Sequence, residues 1–578
     1  MMSQNQDFVL TYNGEIYNHL DLRTELAAQF PIRWRGHSDS ETLLEALVHW
    51  GVVKTLELAN GMFAFGLWNT KTRQLVLARD RFGEKPLYYA LKSHGLLFAS
   101  ELKAFRGLPQ ISHAPDRTVV ARYLANGTIP APLSILGDVK KLPPGSYLEW
   151  NADQGAKITC YWMPETAYEA GLKNPIENMD EGLDEFEALL LDAVKIRKMS
   201  DVPLGAMLSG GVDSSLVTAL MQKDQTTPVQ TFSIGFEDSD VDESVYAEQV
   251  AKHLGTHHHK LTVTDATALA TVPLLGDMYD EPFADASQIP TYLVSALTRK
   301  NVTVALTGDG FDELFAGYAR YVLAEKAWRG ISLLPGRKWL AARMEKMPAA
   351  LITTASRALS PFIPAGVNPE SLSRKLRHSG SLLSKDSAEA VYAGYMKVWE
   401  NPEELMLRHN MAAAFTKVGP RGGKSLQDHF MLSDQYNYLP NDILAKVDRA
   451  SMAVSLETRI PALDPRVAEF AWRFGQASRW QDGKGKWPLR QILYRYVPKE
   501  MIDRPKRGFT VPLASWLRGP LKQWAGDMLS VETLHRQDLL KPDKIQTLWQ
   551  DFQAGGVTTA SQIWTIVMLQ AWLEAWGQ

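Results

Sequence analysis

Three stretches of the sequence concentrate groups able to do chemistry. The run Leu208-Ser209-Gly210-Gly211-Val212-Asp213-Ser214-Ser215 combines two glycines, three hydroxyls and a carboxylate. Glycines let a backbone turn tightly and aim N–H groups inward, hydroxyls add donors, and the N-terminus of a following helix favours an anion, so the run predicts a phosphate cradle. It is not of the Gly-x-x-x-x-Gly-Lys-Ser/Thr type, and Asp213 inside it offers a carboxylate to magnesium. The second stretch, Thr307-Gly308-Asp309-Gly310-Phe311-Asp312-Glu313, gathers carboxylates after an apolar strand. Such groups repel one another unless a cation or proton lies among them, which predicts metal binding or proton transfer. The third, Asp482 to Arg490, sets Lys484 and Lys486 two residues apart, cations of the kind that can stabilise charge developing on a phosphate.

The elements needed to position these groups can be read from apolar periodicity. From Met179 onward a helix over about 180–198, a strand over 204–208, a helix over 215–222, a strand over 229–234 and a helix over 244–254 alternate, the pattern of a parallel α/β sheet. Residues 302–306 read as a further buried strand, and beyond about 320 the chain reads as mostly helical, with a charged, proline-marked stretch near 345–385 left unassigned. In such sheets ligands bind at the carboxyl ends of strands, where the first two stretches fall. Ahead of this, short strands over 8–12, 62–68, 74–78 and 96–99 with one clear helix over 42–50 predict an α+β sheet domain, closed by strands at 147–150 and around Cys160. The expected division is 1–162, a linker over 163–178, and 179–578.

With 578 residues, 45% hydrophobic and 22% charged, the chain has the composition of two or three globular domains. Its 62 basic and 65 acidic side chains leave a net charge of −3, which gives no electrostatic footprint for nucleic acid. No apolar run is long enough to span a bilayer and no signal peptide is evident, so neither a membrane nor a nucleic-acid partner is expected and a cytoplasmic location is. The one cysteine, Cys160, excludes an internal disulfide and is expected to be a buried core thiol. The tract His257-His258-His259 cannot converge on one metal, because neighbours on an extended chain point to opposite faces. Most of the tryptophans are expected in the core or between helices, not on a binding platform.

The Ser-Gly-Gly-Val-Asp-Ser-Ser run resembles the pyrophosphate motif of the ATP pyrophosphatases, and nearly the whole chain resembles the glutamine-dependent asparagine synthetase family. The resemblance implies that ATP is cleaved between its α and β phosphates, that a carboxylate becomes an acyl-adenylate, and that ammonia displaces AMP. On that basis Ser209, Gly210, Gly211, Asp213, Ser214 and Ser215 would hold pyrophosphate, and Met207, Leu208 and Ile234 would contact adenosine. Thr307 and Gly308 would touch ATP, Asp213 and Asp312 would bind Mg2+, and Asp309 and Lys486 would be catalytic. Phe311 and Ala316 stand where the family usually has glycine. Asp442, Asp448, Arg449, Glu457, Arg459 and Asp464 fit a charged network organising the site.

Asn13 to Asn18 and Gly36 to Glu41 resemble the class II glutaminase domain, an N-terminal-nucleophile hydrolase fold. The resemblance implies that Asn13 and Gly14 form an oxyanion hole and that Glu15 and Asp39 bind the amino end of glutamine. Arg79 to Tyr88 and Ser100 to Lys103 continue it as fold determinants. The nucleophile of that class is an N-terminal cysteine; twelve residues precede Asn13, none of them cysteine, and neither Cys160 nor Ser3 can replace it. The expectation is an N-terminally incomplete, vestigial glutaminase with an open sheet edge, and a synthetase that takes free ammonia. The expected reaction converts aspartate, ATP and ammonia to asparagine, AMP and pyrophosphate, in a chain that could form a homodimer. Because Glu281 to Ser287 carries an acidic residue where well-studied asparagine synthetases have a basic one, an amidotransferase acting on a polysaccharide precursor is the first alternative. An inactive regulatory homologue is the second.

Overall fold

A strand with one apolar and one differently packed face needs a cover on each, and the front of the chain provides both. The structure is a computed structural model that describes residues 1–577 apart from 94, 224, 238–241, 346–379, 409–422 and 505–510, so most of the stretch near 345–385 lies outside the described residues. Eight strands form the front: β1 (Phe8–Ile16), β2 (Gly61–Asn69), β3 (Gln74–Arg79), β4 (Tyr88–Lys92), β5 (Gly95–Ala99), β6 (Lys140–Lys141), β7 (Ser146–Asn151) and β8 (Gly155–Cys160). They make an antiparallel sheet in the order β1-β2-β3-β7-β8 and a second in the order β5-β4-β6. Along β2 the pleat sends Phe63, Phe65 and Leu67 into one core with Leu43, Leu44 and Leu47, and Ala64 into another with Leu77, Tyr89 and Leu148.

The front differs from its sequence reading in four respects. Three helices, α1 (His19–Gln29), α2 (Asp39–His49) and α3 (Gly51–Leu58), flank the sheet where one was expected. Only His19, Leu22 and Leu26 of α1 are buried, so its apolar stripe is too narrow to announce a helix. β1 runs on through Asn13, Gly14 and Glu15, which lie within the strand and not after it. The β1 edge is covered along Phe8 to Leu10 by residues 1–3, through bonds such as Leu10 N to Met1 O at 2.7 Å and Ser3 N to Phe8 O at 2.9 Å. Cys160 is exposed, not buried, because β8 is the outer strand of its sheet and turns nearly all its residues to solvent.

The segment expected to link the two halves contains a packed helix over Pro164–Lys173. Its Gly171 lies so close to the helix Pro465–Arg473 that a Cβ would stand 2.5 Å from Glu469 O. The second sheet is wholly parallel, with β9 (Leu204–Met207), β10 (Gln230–Phe236), β11 (His257–Val263), β12 (Val304–Leu306) and β13 (Glu457–Arg459) in the order β11-β10-β9-β12-β13. The chain winds outward from β9 to β11, then returns to place β12 on the other side of β9, so the crevice at a switch point opens at the ends of β9 and β12. His258 bonds Thr231 and Ser233 through its two nitrogens, both at 3.0 Å, while His259 bonds Gln230 at 2.7 Å, so the histidines of β11 serve separate partners. Trp472, Trp516, Trp564 and Trp572 are fully buried. Among the described residues no helix is long and apolar enough to cross a membrane.

Polar side chains tie the two sheets' domains together. Asp464, fully buried, accepts hydrogen bonds from Arg197 at 3.0 Å, Arg466 at 2.9 Å and Asn60 at 2.8 Å. Burial works to raise its pKa, but the two guanidinium groups and the Asn60 amide hold it far below the ordinary carboxylate value. A depressed carboxylate contributes stability that is complete above the unfolded pKa of about 4 and is lost as the pH falls below it. Asp464→Asn leaves Arg197 buried without its counter-charge and is expected to cost about 3–5 kcal/mol. Denaturant titrations at pH 7 and pH 4 check this: the variant should unfold earlier at pH 7 and lose less on acidification than the parent chain.

Candidate active site

The phosphate-cradle residues lie between β9 and α4 (Val212–Gln222), at the switch point. The helix begins at Val212, earlier than the sequence suggested, so Asp213, Ser214 and Ser215 sit in its first turn. Gly210 has φ of +72°, and a Cβ there would stand 2.7 Å from Ala247 N of the neighbouring helix Ser244–Leu254, so both conformation and space require glycine. Ser214 Oγ accepts from Ser209 N at 3.1 Å and lies 2.9 Å from Ser209 Oγ, closing the loop on itself. The Ser215 hydroxyl is buried with no hydrogen-bond partner, a donor the protein leaves unused. Met207 and Ile234 pack with one side of the parallel sheet, whereas the buried Leu208 side chain packs with the other, so Leu208 can meet a ligand there only through its backbone.

The loop after β12 presses on the same helix start. A Cβ on Gly308 would stand 2.7 Å from Ser214 N. The short helix Phe311–Leu314 then brings Asp312 opposite Asp213, and the Lys486 ammonium bridges them, 2.5 Å from Asp213 Oδ2 and 2.6 Å from Asp312 Oδ1. Lys486 is only 4% exposed and holds a left-handed backbone, φ +61°, a conformation a side chain adopts at some cost. Neighbours impose it: Lys486 N donates to Phe315 O at 3.0 Å, and a Cβ on Gly317 would overlap both the Asp312 carboxylate and the Lys486 side chain. Ala316, where glycine was the family expectation, has φ of +55°, whereas Phe311 is fully buried beside Phe315 and serves the core. Lys484 is exposed and paired with Asp503 at 2.9 Å, well apart from this cluster.

Asp309 is half-buried, and burial raises its pKa, with Asp312 adding to the rise; Lys446, the Thr307 hydroxyl and Lys486 act against it. Lys446 belongs to a cluster that sequence reasoning missed. Its ammonium lies 2.8 Å from both Asp285 Oδ2 and Ser287 Oγ. Burial pushes Asp285 up, but Lys446 and two bonds from Ser287 hold it at about 2, whereas burial and Asp285 raise neighbouring Asp442 well above its ordinary value. Asp442 and Lys446 stand one helical turn apart, a spacing that was available in the sequence but reads equally as surface pairing. Asp213 and Asp312 would suit a magnesium ion, which takes one or two carboxylates and completes its shell with water and substrate phosphates.

In the front domain, Asn13 Nδ2 donates to Ser100 Oγ at 3.3 Å, and Gly14 lies so tightly against Met62 O that a Cβ could not fit. Asp39, at the start of α2, accepts from Tyr12 Oη at 2.7 Å and Ile16 N at 3.0 Å. Glu15 pairs with Arg459 of β13 at 3.3 Å; burial lifts it to about 7, Asp39 and Glu457 adding to the lift and Arg459 opposing it. Of these four, Glu15 reaches the parallel-sheet domain, through Arg459, and Asp39 lies close enough to act on its charge. Cys160 lies on β8, four strand spacings away, or about 19 Å across the sheet.

Residues 185–574 match the profile of the family described as Asparagine synthase, and residues 1–162 match that described as Glutamine amidotransferase domain. Asparagine synthetase [glutamine-hydrolyzing] 1 of Bacillus subtilis (strain 168) is 30% identical over 98% of this chain and 86% of its own. A Mycobacterium tuberculosis (strain ATCC 25618 / H37Rv) protein bearing the same family name is 32% identical over 98% of this chain and 84% of its own. Asparagine synthetase [glutamine-hydrolyzing] 3 of Bacillus subtilis (strain 168) is 28% identical over 88% and 78%. The chain belongs to the asparagine synthase family.

Proposed function

We propose that the chain is an AMP-forming ligase that converts aspartate to asparagine through a β-aspartyl-adenylate, with ammonia as the immediate nitrogen donor. The observation that carries this reading is the Lys486 ammonium held between Asp213 and Asp312 at the mouth of the phosphate cradle. The cradle from Ser209 to Ser215 would hold the pyrophosphate that leaves, with the unused Ser215 hydroxyl among its donors. Met207, Ile234 and the Leu208 backbone would receive adenosine, and Thr307 and Gly308 would border the triphosphate. Asp213 and Asp312 would hold magnesium, which when bound neutralises phosphate charge and orients the triphosphate. Lys486 would follow the charge that develops on the α phosphate and on pyrophosphate as the aspartate carboxylate attacks.

Asp309 serves the second half of the reaction. When ammonia attacks the acyl carbon, the nitrogen must shed a proton as AMP departs, and a half-buried carboxylate with a raised pKa is suited to take it. The ion pair of Lys446 with Asp285 offers charges of both signs to an amino-acid acceptor beside it. Nitrogen, whether free ammonia or ammonia released from glutamine near Asn13 and Glu15, would reach Asp309 along the domain seam.

Exchange of labelled pyrophosphate into ATP, measured with aspartate and magnesium, tests the first half-reaction. Lys486→Met and Asp213→Asn should each reduce it by about 100- to 1000-fold while far-UV circular dichroism stays unchanged. Normal exchange in both variants would remove the site assignment. Gly317→Ala should give a similar loss without touching any functional group, because its methyl displaces Asp312 or Lys486; an unimpaired Gly317→Ala enzyme would show that their pairing is dispensable. Asparagine formation with ammonium and with glutamine, run in parallel, identifies the nitrogen source.

A further inference from the structure

Two cavities lie along the seam between the antiparallel and parallel sheets. The smaller, about 10 Å³, is walled by Met62, Lys85, Val447, Thr458 and Ile460. Met62 pairs in register with Glu15, so this cavity begins beside the Asn13 to Glu15 segment. The larger, about 50 Å³, is bordered by Tyr279, Phe283 and Asn441. Tyr279 Oη donates to Lys446 O at 3.5 Å, which sets this end against the Asp285, Asp442 and Lys446 cluster and Asp309 beyond it. Glu84, Leu444 and Asp448 line both cavities and form the neck between them.

The charged groups around the neck are engaged, with one exception. Asp448 pairs with Lys85 at 3.4 Å, Lys141 pairs with Glu281, and Arg449 pairs with Asp280 at 3.4 Å and Glu101 at 3.3 Å. Arg79 donates to the carbonyls of Lys85, Gly83 and Leu142 at 2.8–2.9 Å. Glu84 is 7% exposed, and its Oε2 is buried without a hydrogen-bond partner. An ionised carboxylate in that setting is costly, whereas a neutral one is tolerated.

We propose that Glu84 sets the charge at the neck of the nitrogen passage, letting neutral ammonia through while its carboxyl is protonated and retaining ammonium as an ion pair once it is ionised. This rests on the reading that nitrogen travels along the seam to an acyl-adenylate. No bond forms or breaks at Glu84; the passing ammonia keeps its three protons. Burial pushes Glu84 up to about 8, Asp80 and Asp464 add to the rise, and Arg197 and Lys85 oppose it. Tyr17 also faces it, and Asp448 shares its cavities. A raised carboxyl is neutral below its folded pKa, so Glu84 is mostly neutral at pH 7 and adds a negative charge to the neck as the pH rises through 8.

The test uses the full chain with aspartate, ATP and magnesium between pH 7 and 9.5. Pyrophosphate exchange reports adenylation, and asparagine formed from ammonium and from glutamine gives kcat/KM for nitrogen, expressed for ammonium on the unprotonated species. In the parent enzyme kcat/KM should fall about fivefold from pH 8 to pH 9 as the neutral fraction of Glu84 declines. Glu84→Gln, permanently neutral, should keep exchange and flatten that fall. If Glu84→Gln loses exchange through misfolding, Glu84→Asp decides: a profile displaced along the pH axis supports the proposal. Identical profiles in parent and variant with both nitrogen sources would overturn it. Absence of exchange in the parent enzyme would instead overturn the ligase reading.

Discussion

Two carboxylates brought face to face in a half-buried crevice need a cation between them, and much of the architecture serves to supply one. Asp213 comes from the first turn of a helix that follows β9, Asp312 from a short helix that follows β12, and Lys486 from the residue just after a two-stranded hairpin in which Trp480–Gln481 pairs with Lys484–Gly485. No two of them are neighbours in sequence. Their meeting requires glycine at 210, 308 and 317, where a single methyl would strike backbone or the ion pair itself. It also requires left-handed backbone at Ala316 and Lys486, two non-glycine residues held beside each other by the bond from Lys486 N to Phe315 O and the close approach of Gly485 to Ala316 O. Strain of this kind persists only where surrounding packing over-determines it, and the aromatic cluster of Phe186, Phe315, Phe470 and Phe474 provides that packing.

The same logic extends to the seam. Asn60 with Asp464, Lys85 with Asp448 and Glu15 with Arg459 join the two halves through polar groups, beside an apolar contact in which Leu102, Phe105 and Tyr123 of the front share a core with Phe283, Trp564 and Trp572. Their attractions gain strength from burial, and each side chain left alone would be costly. A seam of this type fixes relative orientation while leaving small spaces between paired groups, which is where the two cavities lie.

The parallel sheet and the glycine-rich loop at its switch point were legible because apolar strands alternate with helix-period segments there and the loop falls between a strand and a helix. Lys486 could be singled out by position, but its choice over Lys484 needed the tertiary fold, since only the folded hairpin turns one lysine inward and the other toward Asp503. Lys446 and Asp285 were missed as a pair because 161 residues separate them and nothing local marks their approach. Cys160 misled for a related reason. Flanking β-prone residues predict a strand but not whether that strand is inner or outer, and Ile158 beside it is 44% exposed on the sheet's edge. The helix over 164–173 hid in the supposed linker because its buried face consists of small residues and one tyrosine, chosen for close approach to another helix and not for a hydrophobic signal.

The Glu15 to Arg459 pair carries a thermodynamic consequence. Arg459 closes the ladder of β13 with β12, and its carbonyl accepts from Thr307 N at 3.0 Å, so one residue holds both the front-domain carboxylate and the start of the loop that bears Asp309. A cationic ligand that drew Glu15 to itself would take a counter-charge from that guanidinium, leaving it to Glu457 and two carbonyls. Linkage then runs both ways: whatever free energy a ligand at one domain exchanges with the other through Arg459 is returned unchanged when the order of binding is reversed. The two halves would thus sense each other's occupancy through charge, with no need for either to move far.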